Sequence, residues 1–133
     1  MEIYATREFS QPHFARSSFR GAILCRAEAI EIDFRGADFT GADLTRAKFV
    51  TCNLEGAILL GADITCTEFK HCNLVNSDLS CVRIRKSKYG LAANPLFNGS
   101  NLCNAIVPNN YEKFFAGVAG VQMRRDFADV DED

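Results

Sequence analysis

Several features that mark particular protein classes are missing from this 133-residue sequence. No run approaches the roughly 18 consecutive apolar residues of a membrane-spanning helix, so we expect no membrane segment. The start of the chain, residues 1–4, does not resemble a secretory signal peptide. Without an export signal, the six cysteines are expected to be reduced thiols and the protein to be cytoplasmic.

The sequence also lacks an excess of basic charge. Its net charge is −2, whereas a general nucleic-acid-binding protein usually carries a basic stripe, so we expect no direct binding of nucleic acid. There is no C-x-x-C pair, and the two histidines, His13 and His71, are predicted to lie on different sides of the fold. We therefore expect no metal site and no cofactor.

What the sequence does contain is an apolar residue at every fifth position. The series runs without a gap from Tyr4 to Tyr89 and resumes at Phe97 after a three-residue insertion at 92–94. A period of five fits neither an α-helix nor a β-strand. The predicted core consists of these residues: Phe9, Phe14, Phe19, Leu24, Phe34, Phe39, Leu44, Phe49, Leu54, Leu59, Ile64, Phe69, Leu74, Leu79, Ile84, Tyr89, Phe97, Leu102 and Val107.

The five-residue motifs identify a fold. Ala37-Asp38-Phe39-Thr40-Gly41, Ala42-Asp43-Leu44-Thr45-Arg46 and Ala62-Asp63-Ile64-Thr65-Cys66 resemble the A(D/N)LxX signature of the pentapeptide-repeat family. The resemblance implies an all-β solenoid, a right-handed quadrilateral β-helix with twenty residues in each four-sided coil. Residues twenty apart would then stack about 4.8 Å from each other, and the ladder beginning at Phe9 would run through Ala29.

The expected boundaries follow from the repeat. The β-helix is predicted over residues 1–109, with about five coils, and Phe97 is predicted to stack beyond Leu74. Asn109 and Glu112 match a capping box, which predicts a short C-terminal α-helix over 110–125 that caps the rod or joins two copies into a homodimer. Residues 126–133 are predicted to be an acidic tail. The apolar positions of the helix are Tyr111, Phe114, Phe115, Val118 and Val121.

Catalysis requires reactive groups held in a concavity. Asp43 and Asp63 should stack and superficially resemble an acid pair. The family motif, however, places Asp or Asn at this position for structural reasons, and a solenoid filled by its own side chains has no obvious cavity. Cys52 and Cys72, also twenty apart, are interpreted as small packing residues. We expect no enzymatic activity and no catalytic residue.

Exposed apolar residues are the better functional lead. Ile58 and Leu60 occupy outward positions that are normally polar, and Ile30 and Val50 are predicted to stack on another side. Two outward apolar side chains in one repeat favour a contact patch. The sequence therefore predicts a rigid protein–protein interaction scaffold whose partner protein is unidentified.

An alternative function comes from the same resemblance. Family members that confer quinolone resistance are read as mimics of duplex DNA that bind a type II topoisomerase, DNA gyrase, as dimers joined by C-terminal helices. This sequence departs from that pattern in its charge, because residues 7–91 contain ten acidic and twelve basic residues. A mimic of phosphate-rich DNA should be distinctly negative.

Overall fold

Short parallel rungs wind into a four-sided coil in the computed structural model, which describes residues 2–4, 13–85, 94–108 and 124–125. The strands are β1 (Glu2–Tyr4), β2 (Glu28–Ile30), β3 (Lys48–Val50), β4 (Glu68–Lys70), β5 (Ile106–Val107) and β6 (Arg124–Arg125). β1 to β4 form one parallel sheet in chain order, and β5 pairs in parallel with β6. In the described part of the chain no helix is long and apolar enough to cross a membrane.

Four faces follow from the pairing of the rungs. The first face holds β1 to β4 and then Leu96, which bridges Glu68. The other faces are defined by single bridges between successive coils. The second face runs through His13, Asp33, Asn53, Asn73 and Asn101, the third through Ser18, Asp38, Ile58, Asp78 and Ile106, and the fourth through Ile23, Asp43, Asp63 and Arg83.

Each five-residue unit makes one rung and one corner. At the corner that ends the Phe39 rung, Gly41 adopts a φ of +67°, and the backbone N–H of Ala42 donates to the carbonyl oxygen of Phe39 at 3.0 Å. The rung itself is bonded on both sides, since Phe39 N–H donates to the carbonyl of Ile58 and Asp38 N–H to that of Ser17. The regular period of five therefore reflects one extended rung and one left-handed corner residue.

Central residues of the repeat fill the inside of the coil. The buried members of the predicted core are Leu24, Phe34, Phe39, Leu44, Phe49, Leu54, Leu59, Ile64, Phe69, Leu74, Leu79, Phe97, Leu102 and Val107. Phe14, Phe19 and Ile84 are partly buried and pack against them. Phe9 and Tyr89 lie outside the described residues. Ile32 is also fully buried, at a position where most repeats carry a small residue.

The register after the fourth coil differs from the predicted one. Leu96 bridges Glu68, Asn101 bridges Asn73 and Ile106 bridges Asp78, so the offset is 28 residues and not the predicted 23. Phe97 consequently stacks on Phe69, and the expectation that it follows Leu74 is wrong. The ladder position predicted for Tyr89 belongs to Phe97.

Both ends of the rod also differ from expectation. Ile3 pairs with Ala29, so the expected pairing of Phe9 with Ala29 is wrong. Arg124 and Arg125 form β6 beside β5, because their backbone pairs with Ile106 and Val107. The predicted helix therefore does not extend to residue 125, and the rest of its range, with the acidic tail, lies outside the described residues.

Candidate interaction surface

Two neighbouring apolar side chains are exposed on the third face. Ile58 is 36% exposed and Leu60 39%, and they flank Leu59, which is completely buried. Their rung is fixed on both sides, since the N–H of Ile58 donates to the carbonyl of Ala37 and that of Leu59 to the carbonyl of Asp78. We call this pair the Ile58–Leu60 patch. Its backbone is held by the coil, so its side chains project from a rigid base.

Carboxylates border the patch above and below. Asp38 and Asp78 bridge Ile58 from the two adjacent coils. Asp38 accepts hydrogen bonds from the backbone N–H and the hydroxyl of Thr40, and it forms an ion pair with Arg20 at 3.1 Å. The hydrogen bond from the Thr40 hydroxyl, and after it the one from the Thr40 N–H, lowers the pKa of this carboxyl group. Asp78 accepts the N–H of Ser80 at 2.9 Å. None of the ion pairs between described residues includes Asp78.

The other two predicted contact residues lie on the opposite side of the coil. Ile30 and Val50 pair in register on the first face, and both are half-buried. The four predicted contacts are therefore two separate pairs. A residue that was not among the predicted contacts, Ile106, lies on the same face as Ile58, two coils further along the rod, because of the 28-residue offset. The sequence alone did not place Ile106 on this face. The asparagines Asn53, Asn73 and Asn101, which follow one another on the second face, could have indicated the correct offset.

On the fourth face, Asp43 and Asp63 bridge each other, and Arg83 follows in the same ladder. Asp63 is buried and accepts hydrogen bonds from the N–H and hydroxyl of Thr65 and from Nε of Arg85 at 2.8 Å. The hydroxyl of Thr45, followed by its N–H, lowers the pKa of Asp43. A general acid needs a raised pKa, so the lowered pKa of Asp43 favours a structural role for this residue, and the ion pair with Arg85 favours one for Asp63.

A second buried carboxylate, Asp33, organises the second face. Asp33 pairs with Arg35 at 2.8 Å and with Nδ1 of His13 at 3.0 Å. The hydrogen bonds from the Arg35 side chain lower the pKa of Asp33 to about 2. A cleft beside this cluster is lined by Ala15, Arg16, Arg35, Gly36 and Glu55. Its lining contains no Ser, Cys, Lys or His that could act as a nucleophile or neutral base.

The cysteines at the inward small position pack as neighbours. Cys52 and Cys72 are both buried, and their thiols donate to the carbonyl oxygens of Ala29 at 3.3 Å and Phe49 at 3.1 Å. The hydrogen bond with the Cys52 thiol and burial together raise the pKa of Cys72. Within residues 13–85 and 94–108, no three His, Cys, Asp or Glu side chains are grouped so that they could hold a metal ion.

The predicted contact residues of the C-terminal helix, Tyr111, Phe114, Phe115, Val118 and Val121, lie outside the described residues. The Ile58–Leu60 patch with its bordering carboxylates is therefore the surface on which the described residues concentrate exposed apolar side chains. Ile23 is more exposed, at 80%, but it stands at the N-terminal end of the fourth face, and Leu96, at 49%, belongs to the first face.

Comparisons with known proteins agree with this architecture. The family profile described as pentapeptide repeats matches residues 8–41 and 42–80, with eight copies. No curated protein shows significant similarity to the chain.

Solved structures share the fold. The chain is similar to trypsin-treated QnrB1, described as a plasmid-mediated fluoroquinolone resistance protein, with a TM-score of 0.70 and 21% identity over 81% of this chain and 54% of that one. It is similar to a pentapeptide repeat protein of the Arabidopsis thaliana thylakoid lumen, with a TM-score of 0.66 and 24% identity over 81% and 73% of the two chains. A pentapeptide repeat protein of Nostoc Pcc 7120 gives a TM-score of 0.55 and 23% identity over 86% of each chain. The chain spans about half the length of the QnrB1 structure, and at these identities the likeness is one of fold.

Proposed function

Because this chain belongs to the pentapeptide repeat family, whose members form right-handed β-helix solenoids, we propose that it is a non-enzymatic interaction module. The module binds a partner protein through the Ile58–Leu60 patch. The observation that carries this proposal is the exposure of two adjacent apolar side chains, 36% and 39%, on one backbone-bonded rung. Apolar side chains on a rigid base are suited to binding, since little conformational entropy is lost when a partner covers them.

The test is affinity capture of partner proteins with three baits. The baits are the wild type, the double variant Ile58→Asp/Leu60→Asp, and Ile23→Asp as a matched control for a charge added at an exposed isoleucine on another face. We expect the double variant to lose a partner that the wild type and Ile23→Asp both retain. A partner retained equally by all three baits contradicts the assignment of the patch.

Two further parts of the proposal concern the cellular compartment and the oligomeric state. The module works in the cytoplasm, which fractionation of the native cells tests.

Residues 110–125 cap the rod or join two copies, and light scattering on the full chain and on a variant without residues 110–133 distinguishes these roles. A dimer that becomes a monomer on deletion supports the joining role, and a full chain that is monomeric at high concentration rules it out.

The second candidate is a DNA-mimicking binder of DNA gyrase. Family membership and the fold shared with QnrB1 favour it. The charge of the rod opposes it, because residues 13–85 and 94–108 contain nine acidic and nine basic residues, whereas a mimic of phosphates needs a negative surface. Gyrase supercoiling with and without a quinolone is the test. A protein that changes neither reaction at micromolar concentration is not a gyrase binder of this class.

A further inference from the structure

The outward ladder of the third face alternates in chemistry from rung to rung. Asp38, Ile58, Asp78 and Ile106 occupy successive positions. Neighbouring rungs of a sheet lie about 4.8 Å apart, so Ile58 and Ile106 are separated by about 9.6 Å along the rod, with Asp78 midway. The face thus carries the exposed Ile58, the Asp78 carboxylate and the half-buried Ile106 in a line that runs across the strands.

This spacing matches an α-helix that lies along the rod. A helix rises 1.5 Å per residue, so positions i and i+7 are about 10.5 Å apart, and positions i+3 and i+4 lie about midway on the same side. An extended segment fits less well, because its same-side residues recur about every 6.6 Å. That distance matches neither one rung nor two.

Charge specifies the middle position of such a helix. The carboxylate of Asp38 is already paired with Arg20 at 3.1 Å. Asp78 has no ion pair within the described part of the chain, and it lies between the Ile58 and Ile106 rungs. A Lys or Arg over Asp78 would therefore complement this carboxylate, which forms no ion pair with another described residue.

We propose that the third face binds an amphipathic α-helix of a partner protein, whose contacting positions are apolar at i, Lys or Arg at i+3 or i+4, and apolar at i+7. This inference rests on the proposed interaction function. The first apolar side chain covers the Ile58–Leu60 patch, the cation meets Asp78, and the second apolar side chain covers Ile106.

The test is selection from a displayed library of single helices whose surface positions are randomised, with the full-length protein as bait. We expect enriched helices to carry the apolar, basic, apolar pattern at these spacings. Binding of an enriched synthetic helix, measured by fluorescence anisotropy, should weaken at least tenfold in Ile58→Ser/Leu60→Ser. It should weaken about two- to fivefold in Asp78→Asn, the range of an exposed ion pair.

Asp78→Asn is a suitable variant because Asn53, Asn73 and Asn101 make the same turn hydrogen bond, in which the side-chain Oδ1 accepts the N–H of the residue two positions later. Its fold should therefore be retained. Replacing the peptide's cation with Glu should weaken binding to the wild type and change binding to Asp78→Asn much less.

Two results would overturn the inference. The first is enrichment of helices without the basic middle position, and the second is equal enrichment on the wild type and on Ile58→Ser/Leu60→Ser. Either result leaves the proposed function standing if the capture experiment still shows a partner that depends on the patch. Loss of that dependence instead contradicts the proposed function itself.

Discussion

The rings of Phe49 and Phe69 stack with their centroids 5.3 Å apart and their planes inclined by 9°, although twenty residues separate them in sequence. Phe97 continues the stack on Phe69 at 5.2 Å and 4°. Parallel rungs place equivalent side chains directly above one another, so the stack follows from the coil. Stacked aromatic pairs contribute about 0.5–1.5 kcal/mol each beyond the area they bury.

Truncating the middle ring should therefore be costly. Phe69 is completely buried and contacts a ring on each side, so we expect Phe69→Ala to lower the free energy of unfolding by about 3–5 kcal/mol. Urea denaturation measures the change. Ile23→Ala, at a site that is 80% exposed, should change it by no more than about 0.5 kcal/mol. Similar losses in both variants would contradict the stack as a source of stability.

The inward-facing residues could be predicted because burial repeats with the chain. Phe39, Leu59 and Leu79 are almost completely buried on successive coils of the third face. The register after Arg85 could not be predicted from the same pattern, since a shift by whole repeats keeps every fifth residue inward. Ser100 indicates the register that the apolar series does not. It occupies the position of Cys72 on the next coil, and its Oγ accepts the N–H of Cys72.

The candidate surface could be predicted only in part, because the apolar series does not determine the register after Arg85. Ile58 and Leu60 stand out in one repeat, whichever face that repeat occupies. The association of Ile106 with Asp78 depends on the 28-residue offset and therefore on the fold. Ile32 was missed because the five-residue rule assigns a small residue to its position, whereas the coil there buries a large one.

The corner at Gly99 favours glycine for two reasons. Its φ is +66°, and an added Cβ would overlap the imidazole ring of His71. Gly41 has nearly the same φ, +67°, with no neighbouring atom within 4 Å of such a Cβ. We expect Gly41→Ala to cost about 1–2 kcal/mol of unfolding free energy from the left-handed backbone alone, and Gly99→Ala to cost more.

A double-mutant cycle separates the two reasons. In a His71→Ala background, the cost of Gly99→Ala should fall to that of Gly41→Ala, because only the backbone strain is left. Thermal and urea unfolding of the four proteins give the coupling. If His71→Ala leaves the cost of Gly99→Ala unchanged, the imidazole is not the obstacle.

Acid should weaken the fold through Asp33. The pKa of this carboxyl group is lowered to about 2 by the Arg35 side chain, below the ordinary value of 3.8. A depressed pKa in the folded state gives stability that is fully present above about pH 4 and is lost as the pH falls towards 2. We expect a contribution of about 1–2 kcal/mol, which is less than the shift alone implies because Arg35 is half exposed to solvent.

Asp33→Asn isolates this contribution, since asparagine makes the equivalent turn on the same face at Asn53 and Asn73. The variant should be less stable than the wild type at pH 6, and the difference should shrink between pH 4 and pH 2. Urea denaturation at each pH measures it. A difference that is constant over this range would mean that Asp33 acts through packing and not through its charge.

Two buried serines at equivalent corner positions should respond to alanine in opposite directions. Ser77 is completely buried, its Oγ has no hydrogen-bond partner among the described residues, and Ala57 and Ala105 occupy the same position on the adjacent coils. Ser100 Oγ donates to the carbonyl of Phe69 at 2.6 Å and accepts the N–H of Cys72 at 2.9 Å. A buried polar group without a partner costs about 1–3 kcal/mol, whereas a satisfied one contributes about 0.5–1.5 kcal/mol.

Ser77→Ala should therefore raise the free energy of unfolding by about 1 kcal/mol and Ser100→Ala should lower it by at least as much. Urea denaturation of the two variants side by side decides the matter, because a loss of stability in both would mean that the Ser77 hydroxyl is satisfied in solution.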